Sequence, residues 1–177
     1  MYASCADELK SSELYRNDLI EFVSYYVAAK AENFYKQALK DDSENRVLAA
    51  QRNLQQTVDL LMDVDKLLAS HPLYRLEEWV ELARNSGTTL QEKDAYEANA
   101  KRLITSWGGI QEDYAARFWS GLIKDYYIPR IQLYFTKGRN KIREWEEQWI
   151  TSPWSNSTTP FDDPVEAALS LIEKTNK

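Results

Sequence analysis

Carboxylates are the side chains of this chain that are best suited to chemistry. The sequence contains 28 Asp and Glu residues, and two carboxyl groups facing each other across a sugar can hydrolyse a glycosidic bond. Asp113 lies at a predicted helix start, where a carboxylate commonly caps the helix or meets its dipole. Asp125 falls on the apolar face of the same helix, where a charge needs a cleft or a partner, such as Arg130 or a neighbouring helix. These residues do not amount to a complete catalytic site.

Residues for metal, nucleophilic and phosphate chemistry are sparse. The single histidine, His71, precedes a proline and has no partner cysteine, so a loop or cap role is favoured over a metal or triad role. Gly108 and Gly109 lack the spacing of a phosphate-binding loop. We therefore expect no metal and no cofactor.

The segment from Asp113 to Arg130 is the most distinctive in the chain and predicts one amphipathic helix closed by Pro129. Its apolar face comprises Tyr114, Ala115, Phe118, Trp119, Leu122, Ile123 and Tyr126. Gly121 lies at the edge of the polar stripe, which suggests that another group approaches the backbone there. The proline predicts a kink, or a new helix, near Tyr127.

Composition indicates a helical globular protein. The 177 residues are 44% hydrophobic and 28% charged, with only five glycines and five prolines. The net charge of −6 argues against nucleic-acid binding, which needs a surface that neutralises phosphates. No run of about 18 apolar residues predicts a membrane span, and the first residues do not resemble a signal sequence. The lone Cys5 excludes an internal disulfide and leaves the compartment open.

Hydrophobic spacing at three and four residues predicts a series of helices. The first two, residues 12–40 and 44–69, are expected to form an antiparallel hairpin. A third, of about 13 residues, carries apolar side chains from Leu73 to Ala83 and is stopped by Asn85-Ser86-Gly87. A fourth begins at a capping box, Thr89 to Glu92, and extends to about Ser106.

The rest of the chain predicts further helices and one polar loop. Residues 130–150 place apolar side chains on one side, and residues 151–160 read as a loop. A last helix is predicted from Pro164 to about Glu173, with Asp163 as its cap. The fold class is all-α, an irregular bundle of six to seven helices. The bundle domain is assigned to residues 1–150, with residues 151–177 as a loop and short helix packed on it.

Several motifs together resemble one known family. The pattern D-Y-A-x5-G-L-x3-Y-Y-x-P-R spans Asp113 to Arg130, and it follows Tyr96-Glu97-Ala98-Asn99 and Thr105-Ser106-Trp107-Gly108. Residues 60–70 and Trp79 add to the likeness. This set resembles the C-terminal helical domain of α-N-acetylglucosaminidases, glycoside hydrolase family 89, over at least residues 58–135.

The resemblance implies a domain without catalytic residues of its own. In that family the two catalytic glutamates belong to a preceding (β/α)8 barrel, which would be the partner domain of the same parent chain, and the helical domain helps to wall the cleft. The parent would remove terminal α-linked N-acetylglucosamine from glycans with retention, in a secreted, periplasmic or lysosomal setting. Residues at matching motif positions are the cleft candidates: Asn99, Trp107, Asp113 and Tyr114.

Two alternatives remain open on sequence grounds. Trp107 next to two glycines suits stacking on a sugar ring, but it could equally be a buried tryptophan at a helix junction. The chain could also be a helical protein-interaction module with no glycan role. The basic run Lys137, Arg139, Lys141 and Arg143 is interpreted as a solvated helix face rather than a site for sulfated glycans.

Overall fold

The computed structural model describes residues 2–107, 115–154 and 157–176, and over these ranges the fold is all-α, as predicted. Eight α-helices occur within them: α1 (Ala6–Leu9), α2 (Glu13–Ser43), α3 (Val47–Leu68), α4 (Leu76–Asn85), α5 (Leu90–Leu103), α6 (Ile128–Lys137), α7 (Ile142–Thr151) and α8 (Pro164–Thr175). Within the described ranges, β-pairing occurs as an isolated bridge between Arg75 and Ser120. The helices fall into two compact units, Met1–Leu73 with Thr158–Lys177, and Tyr74–Ser157.

The first unit is built on the predicted hairpin of α2 and α3. Ser12 caps α2 by accepting the Tyr15 N–H at 3.4 Å. At the far end Asp41 is buried and accepts hydrogen bonds from Arg46 at 2.5 Å and Asn53 at 2.7 Å. These bonds hold the turn between the helices, where Asn45 takes a left-handed φ of 57°. Hydrogen bonding to Arg46 keeps the pKa of Asp41 below its usual range.

The C-terminal helix α8 packs on α2 and α3 within this first unit. Asp163 caps it, as predicted, accepting the N–H groups of Val165 and Glu166 at 2.9 and 3.0 Å. The Lys174 ammonium lies 2.7 Å from the Asp63 carboxylate of α3. The domain boundary predicted after residue 150 remains a prediction.

The second unit surrounds a small apolar core ringed by aromatic side chains. Its buried members are Leu76, Val80, Ile104, Leu122 and Tyr126. Packed against them are Trp79, Trp119, Tyr127, Trp145, Trp149 and Trp154. A mainly aliphatic core is thus covered by partly buried aromatic side chains.

The predicted single helix from Asp113 to Arg130 is wrong in its first part. Residues 116–119 have no regular structure, and the backbone of Ser120 pairs with that of a distant segment, accepting the Leu76 N–H at 3.0 Å and donating to the Tyr74 carbonyl at 2.8 Å. Gly121 then adopts a φ of +83°, which a helix does not allow. A five-residue π-helix, Ile123–Tyr127, follows.

Three further sequence expectations concern the prolines and glycines of this region. A new helix, α6, begins at Ile128 with Pro129 in its first turn, as the proline predicted. Residues 130–150 are not continuous, because Gly138, at a φ of +76°, separates α6 from α7. The approach to Gly121 is confirmed: a Cβ there would lie 3.1 Å from Trp154 Cζ2 and 3.2 Å from Leu76 Cβ.

Candidate functional site

Helix α5 positions two of the predicted site residues, and its start is fixed by the capping box that the sequence predicted. The Thr89 hydroxyl accepts the Glu92 N–H at 3.2 Å, while the Glu92 carboxylate accepts the Thr89 N–H at 3.0 Å. Glu92 also accepts from the Thr88 hydroxyl and N–H. These bonds lower the pKa of Glu92 to about 2. A firmly capped helix gives the residues along it a fixed orientation.

Asn99 lies on the outer face of α5 and is exposed. Its neighbours two positions away, Glu97 and Lys101, are 2% and 1% exposed. Two residues correspond to a rotation of about 200° around a helix, so Asn99 points away from the side that carries these two charges. The amide of Asn99 is therefore available to a group outside this unit.

Trp107 follows the end of α5 in an unusual backbone conformation. Its φ is +48°, a left-handed value that is uncommon for a bulky residue and costs free energy. Its N–H donates to the Arg102 carbonyl at 2.8 Å, which closes the helix end. The residue is 42% exposed, so the interpretation of a buried tryptophan at a helix junction is wrong for this chain.

The inner side of α5 carries a buried charge network. The Lys101 ammonium lies 3.1 Å from the Glu97 carboxylate and donates to the carbonyls of Trp149, at 3.0 Å, and Ser152. Glu97 also accepts from Arg84 at 2.6 Å and from the Trp154 N–H at 2.5 Å. Burial lowers the pKa of Lys101, and the hydrogen bond to Glu97 opposes this shift. The network joins α4, α5 and the segment after α7.

The expectation that Asp125 needs a partner or a cleft is confirmed. Asp125 lies in the π-helix, and its carboxylate accepts the indole N–H of Trp154 at 3.0 Å. Arg130, the partner suggested by the sequence, lies 2.7 Å from Glu146. Glu146 also accepts the Tyr126 hydroxyl at 2.8 Å. Asp113 and Tyr114, the other two predicted site residues, lie outside the described residues.

Comparison with known proteins identifies the family of this architecture. The family model described as "Alpha-N-acetylglucosaminidase (NAGLU) C-terminal domain" matches residues 1–174. The chain belongs to this family. Human α-N-acetylglucosaminidase is 30% identical over 132 residues, which cover 73% of this chain and 18% of the human protein.

Solved structures share the fold of this C-terminal domain. A family 89 glycoside hydrolase from Clostridium perfringens in complex with PUGNAc superposes with a TM-score of 0.83 and 21% identity, over 97% of this chain and 22% of that chain. A second structure from that organism, in complex with its substrate GlcNAc-α-1,4-galactose, gives a TM-score of 0.79, 22% identity and the same coverage. The domain thus spans less than a quarter of the length of these relatives.

Family membership does not favour a protein-interaction module without a glycan role. The basic run is solvated, as interpreted, with Lys137, Arg139, Lys141 and Arg143 all exposed. It is not one helix face, however, because Lys137 lies in α6 and Arg143 in α7. Lys141 pairs with Glu144 at 2.9 Å, which raises the pKa of the lysine and lowers that of the glutamate. In the described ranges, no helix has the length and apolar character needed to cross a bilayer.

His71 has the loop role that the sequence favoured. Its Nδ1 accepts the Leu73 N–H at 3.1 Å, and burial lowers the pKa of the imidazole. Among the described residues, His, Cys, Asp and Glu side chains do not form a group that could hold a metal ion.

Sequence reasoning missed the Glu97–Lys101 pair and the role of Trp154. Glu97 and Lys101 are one helical turn apart, a spacing that ordinarily indicates a solvated pair on a helix surface. Trp154 lies in a segment read only as a polar loop. A tryptophan within such a segment was the one available signal that part of the loop packs on the core.

Proposed function

We propose that this chain is the helical domain beside the catalytic barrel of an α-N-acetylglucosaminidase, and that it forms part of the wall of the active-site cleft. The observation that carries the proposal is the family match over residues 1–174, together with a match to the human relative that covers only 18% of that protein. The two catalytic carboxylates are assigned to the barrel. This domain contributes substrate contacts and no catalytic residue.

The proposed reaction is retaining hydrolysis of terminal α-linked N-acetylglucosamine. The human relative is named α-N-acetylglucosaminidase, and the Clostridium perfringens protein was solved with GlcNAc-α-1,4-galactose as its substrate. Retention needs a nucleophilic carboxylate and an acid–base carboxylate about 5 Å apart. Both are supplied by the barrel, so the domain acts by binding and orienting the sugar and by excluding water from one side of the cleft.

Trp107 is the residue of this domain to which we assign the main sugar contact. It is 42% exposed and held at a φ of +48°, and strained conformations of this kind cluster at functional sites. An indole face suits the C–H face of a pyranose ring. Asn99, exposed on α5, and Asp113 and Tyr114, from the matching motif, complete the proposed cleft edge.

The proposal is tested by Trp107→Ala in a full-length parent enzyme. We expect kcat/KM on an aryl α-N-acetylglucosaminide to fall by about tenfold or more, while the melting temperature changes by no more than a few degrees, as for a surface substitution. Phe22→Ala is a matched control, since Phe22 is an exposed aromatic (54%) in the other unit. Unfolding of the variant with unchanged kinetics in the remaining folded enzyme would assign Trp107 to packing.

The assignment of catalysis to the barrel has its own test. The purified 177-residue chain, shown to be folded by circular dichroism, should have no activity on the same substrate. Turnover that survives repurification and disappears in Asp113→Asn or Asp125→Asn would place catalytic carboxylates in this domain and contradict the proposal.

A further inference from the structure

A cavity of about 300 Å³ lies within the second unit, on the inner side of α5. Three tryptophans line it, Trp145 and Trp149 from α7 and Trp154 from the segment that follows. Asp125 and Lys101 contribute to the same wall, and exposed residues after α7, including Ser152, open it to solvent. Its volume is at the lower end of the range of small-ligand pockets, about 300–1,000 Å³.

Tryptophan side chains line this cavity, and an indole face suits the C–H face of a pyranose ring. Trp145 and Trp149 pack beside the buried Tyr126, with ring centroids 5.6 and 4.8 Å from its own, so their orientation is set by the core. The Trp154 indole is fixed by its hydrogen bond to Asp125 at 3.0 Å. Rings that are held in place by other contacts bind a ligand face without a further loss of side-chain freedom.

The charges on the wall favour a neutral, hydrogen-bonding occupant. Asp125 presents a carboxylate, which can accept hydrogen bonds from sugar hydroxyls. Lys101 is positively charged and lines the same cavity, which disfavours a cation, while the carboxylate disfavours an anion. The Lys101 ammonium already has acceptors in the Glu97 carboxylate and the backbone carbonyls of Trp149 and Ser152. We therefore treat it as part of the cavity wall and not as a contact to the ligand.

The cavity is separate from the proposed cleft edge. Lys101 and Asn99 lie about 200° apart around α5, with Lys101 1% exposed and Asn99 exposed. Trp107, beyond the end of α5, does not line the cavity. We propose that this cavity is a second carbohydrate site, which takes one neutral pyranose ring between its tryptophans and forms hydrogen bonds through Asp125. This inference does not depend on the proposed cleft role of Trp107.

The test is a titration of the ¹⁵N-labelled chain, followed through the indole N–H signals of its tryptophans. N-acetylglucosamine and galactose are the sugar probes, and tetramethylammonium is the cationic one. We expect saturable shifts of the Trp145, Trp149 and Trp154 signals with at least one sugar, at a dissociation constant on the order of 1 mM. Saturation by tetramethylammonium alone would make the cavity an aromatic cage for a cation and overturn the proposal.

Two variants and one control connect the signal to the cavity. Asp125→Asn, which keeps the shape of the side chain, and Trp145→Ala should each weaken sugar binding by about tenfold. Phe22→Ala, which changes an exposed aromatic side chain of the other unit, should leave binding unchanged. Circular dichroism checks that each variant is folded, and Asp125→Asn decides the matter if Trp145→Ala unfolds. Sugar shifts that are lost in Phe22→Ala, or retained in full in Asp125→Asn, would contradict a second site, as would the absence of saturable shifts.

Discussion

The Lys101 ammonium lies 3.1 Å from the Glu97 carboxylate, one turn away on α5, and both side chains are almost completely buried. Two further groups depend on this pair: Glu97 accepts the backbone N–H of Trp154, and Lys101 donates to the carbonyl of Ser152. The pair therefore tethers the segment after α7 to the inner side of α5. Removing Lys101 would leave the buried Glu97 carboxylate with Arg84 as its charged partner, and removing Glu97 would take away the carboxylate that lies 3.1 Å from the buried Lys101 ammonium. Either change is far more costly than losing a surface pair.

Lys101→Met should lower the free energy of unfolding by about 3–5 kcal/mol, because Glu97 and two backbone carbonyls lose a buried donor. Urea denaturation of the purified chain measures this. Lys141→Met is the matched control, since its pair with Glu144 has side chains 58% and 60% exposed, and it should change stability little. The double variant Glu97→Gln/Lys101→Met should be less destabilised than the sum of the single changes. Equally small losses of unfolding free energy in Lys101→Met and Lys141→Met would show that the buried pair does not tether the segment after α7.

The capping box of α5 predicts a pH dependence. The Thr88 hydroxyl and the N–H groups of Thr89 and Thr88 hydrogen-bond the ionised Glu92, and they lower its pKa from 4.5 to about 2. A carboxyl with a lowered pKa in the folded state stabilises the fold above its unfolded pKa, and this stabilisation is lost as the pH falls towards the folded pKa. The contribution should therefore be complete above about pH 5 and decline towards pH 2.

Carbon-13 NMR of the Glu92 carboxyl should show a midpoint near pH 2. Thr88→Val removes the largest cause of the shift and should raise the midpoint. Between pH 7 and pH 3, the wild type should lose more stability than Glu92→Gln, which has no charge to lose at this position. A Glu92 midpoint near 4.5 would mean that the capping box does not form in solution.

Two glycines at positive φ offer a test of close packing. Gly138→Ala meets no heavy atom within 4 Å of its new Cβ, so it should cost only the backbone penalty of about 1–3 kcal/mol. Gly121→Ala adds contacts of 3.1 Å to Trp154 and 3.2 Å to Leu76. It should therefore also displace the Trp154 indole, visible as a shift of its N–H signal that Gly138→Ala does not produce. An unmoved Trp154 signal in a folded Gly121→Ala variant would contradict the close approach.

Local signals in the sequence predicted most of the helices but not the buried network. The capping box at Thr89 and the cap at Asp163 each depend on residues a few positions apart, so spacing alone revealed them. The helix predicted from Asp113 failed because Ser120 pairs with the backbone of Tyr74 and Leu76, and periodicity carries no information about such distant partners.

The candidate site was predicted only in part, for a related reason. Asn99 and Trp107 are exposed where motif positions suggested a cleft edge. Glu97 and Lys101, by contrast, have the spacing of an ordinary surface pair, and their burial results from the packing of α4 and of the segment after α7 on α5. Whether the exposed residues contact substrate stays a prediction.

The left-handed backbone of Trp107 leads to a last prediction, which reverses the usual effect of glycine. At a φ of +48°, an L residue other than glycine pays roughly 1–2 kcal/mol. Trp107→Gly should therefore be more stable than Trp107→Ala by about 1 kcal/mol. Both variants lack the indole, so its loss does not affect this comparison. Tyr96 is the control, since it is similarly exposed (44%) within α5, and there glycine should be less stable than alanine by about 1 kcal/mol. Thermal denaturation of the four variants gives both differences. The same sign at both positions would remove the evidence for strain at Trp107, whereas opposite signs would confirm it.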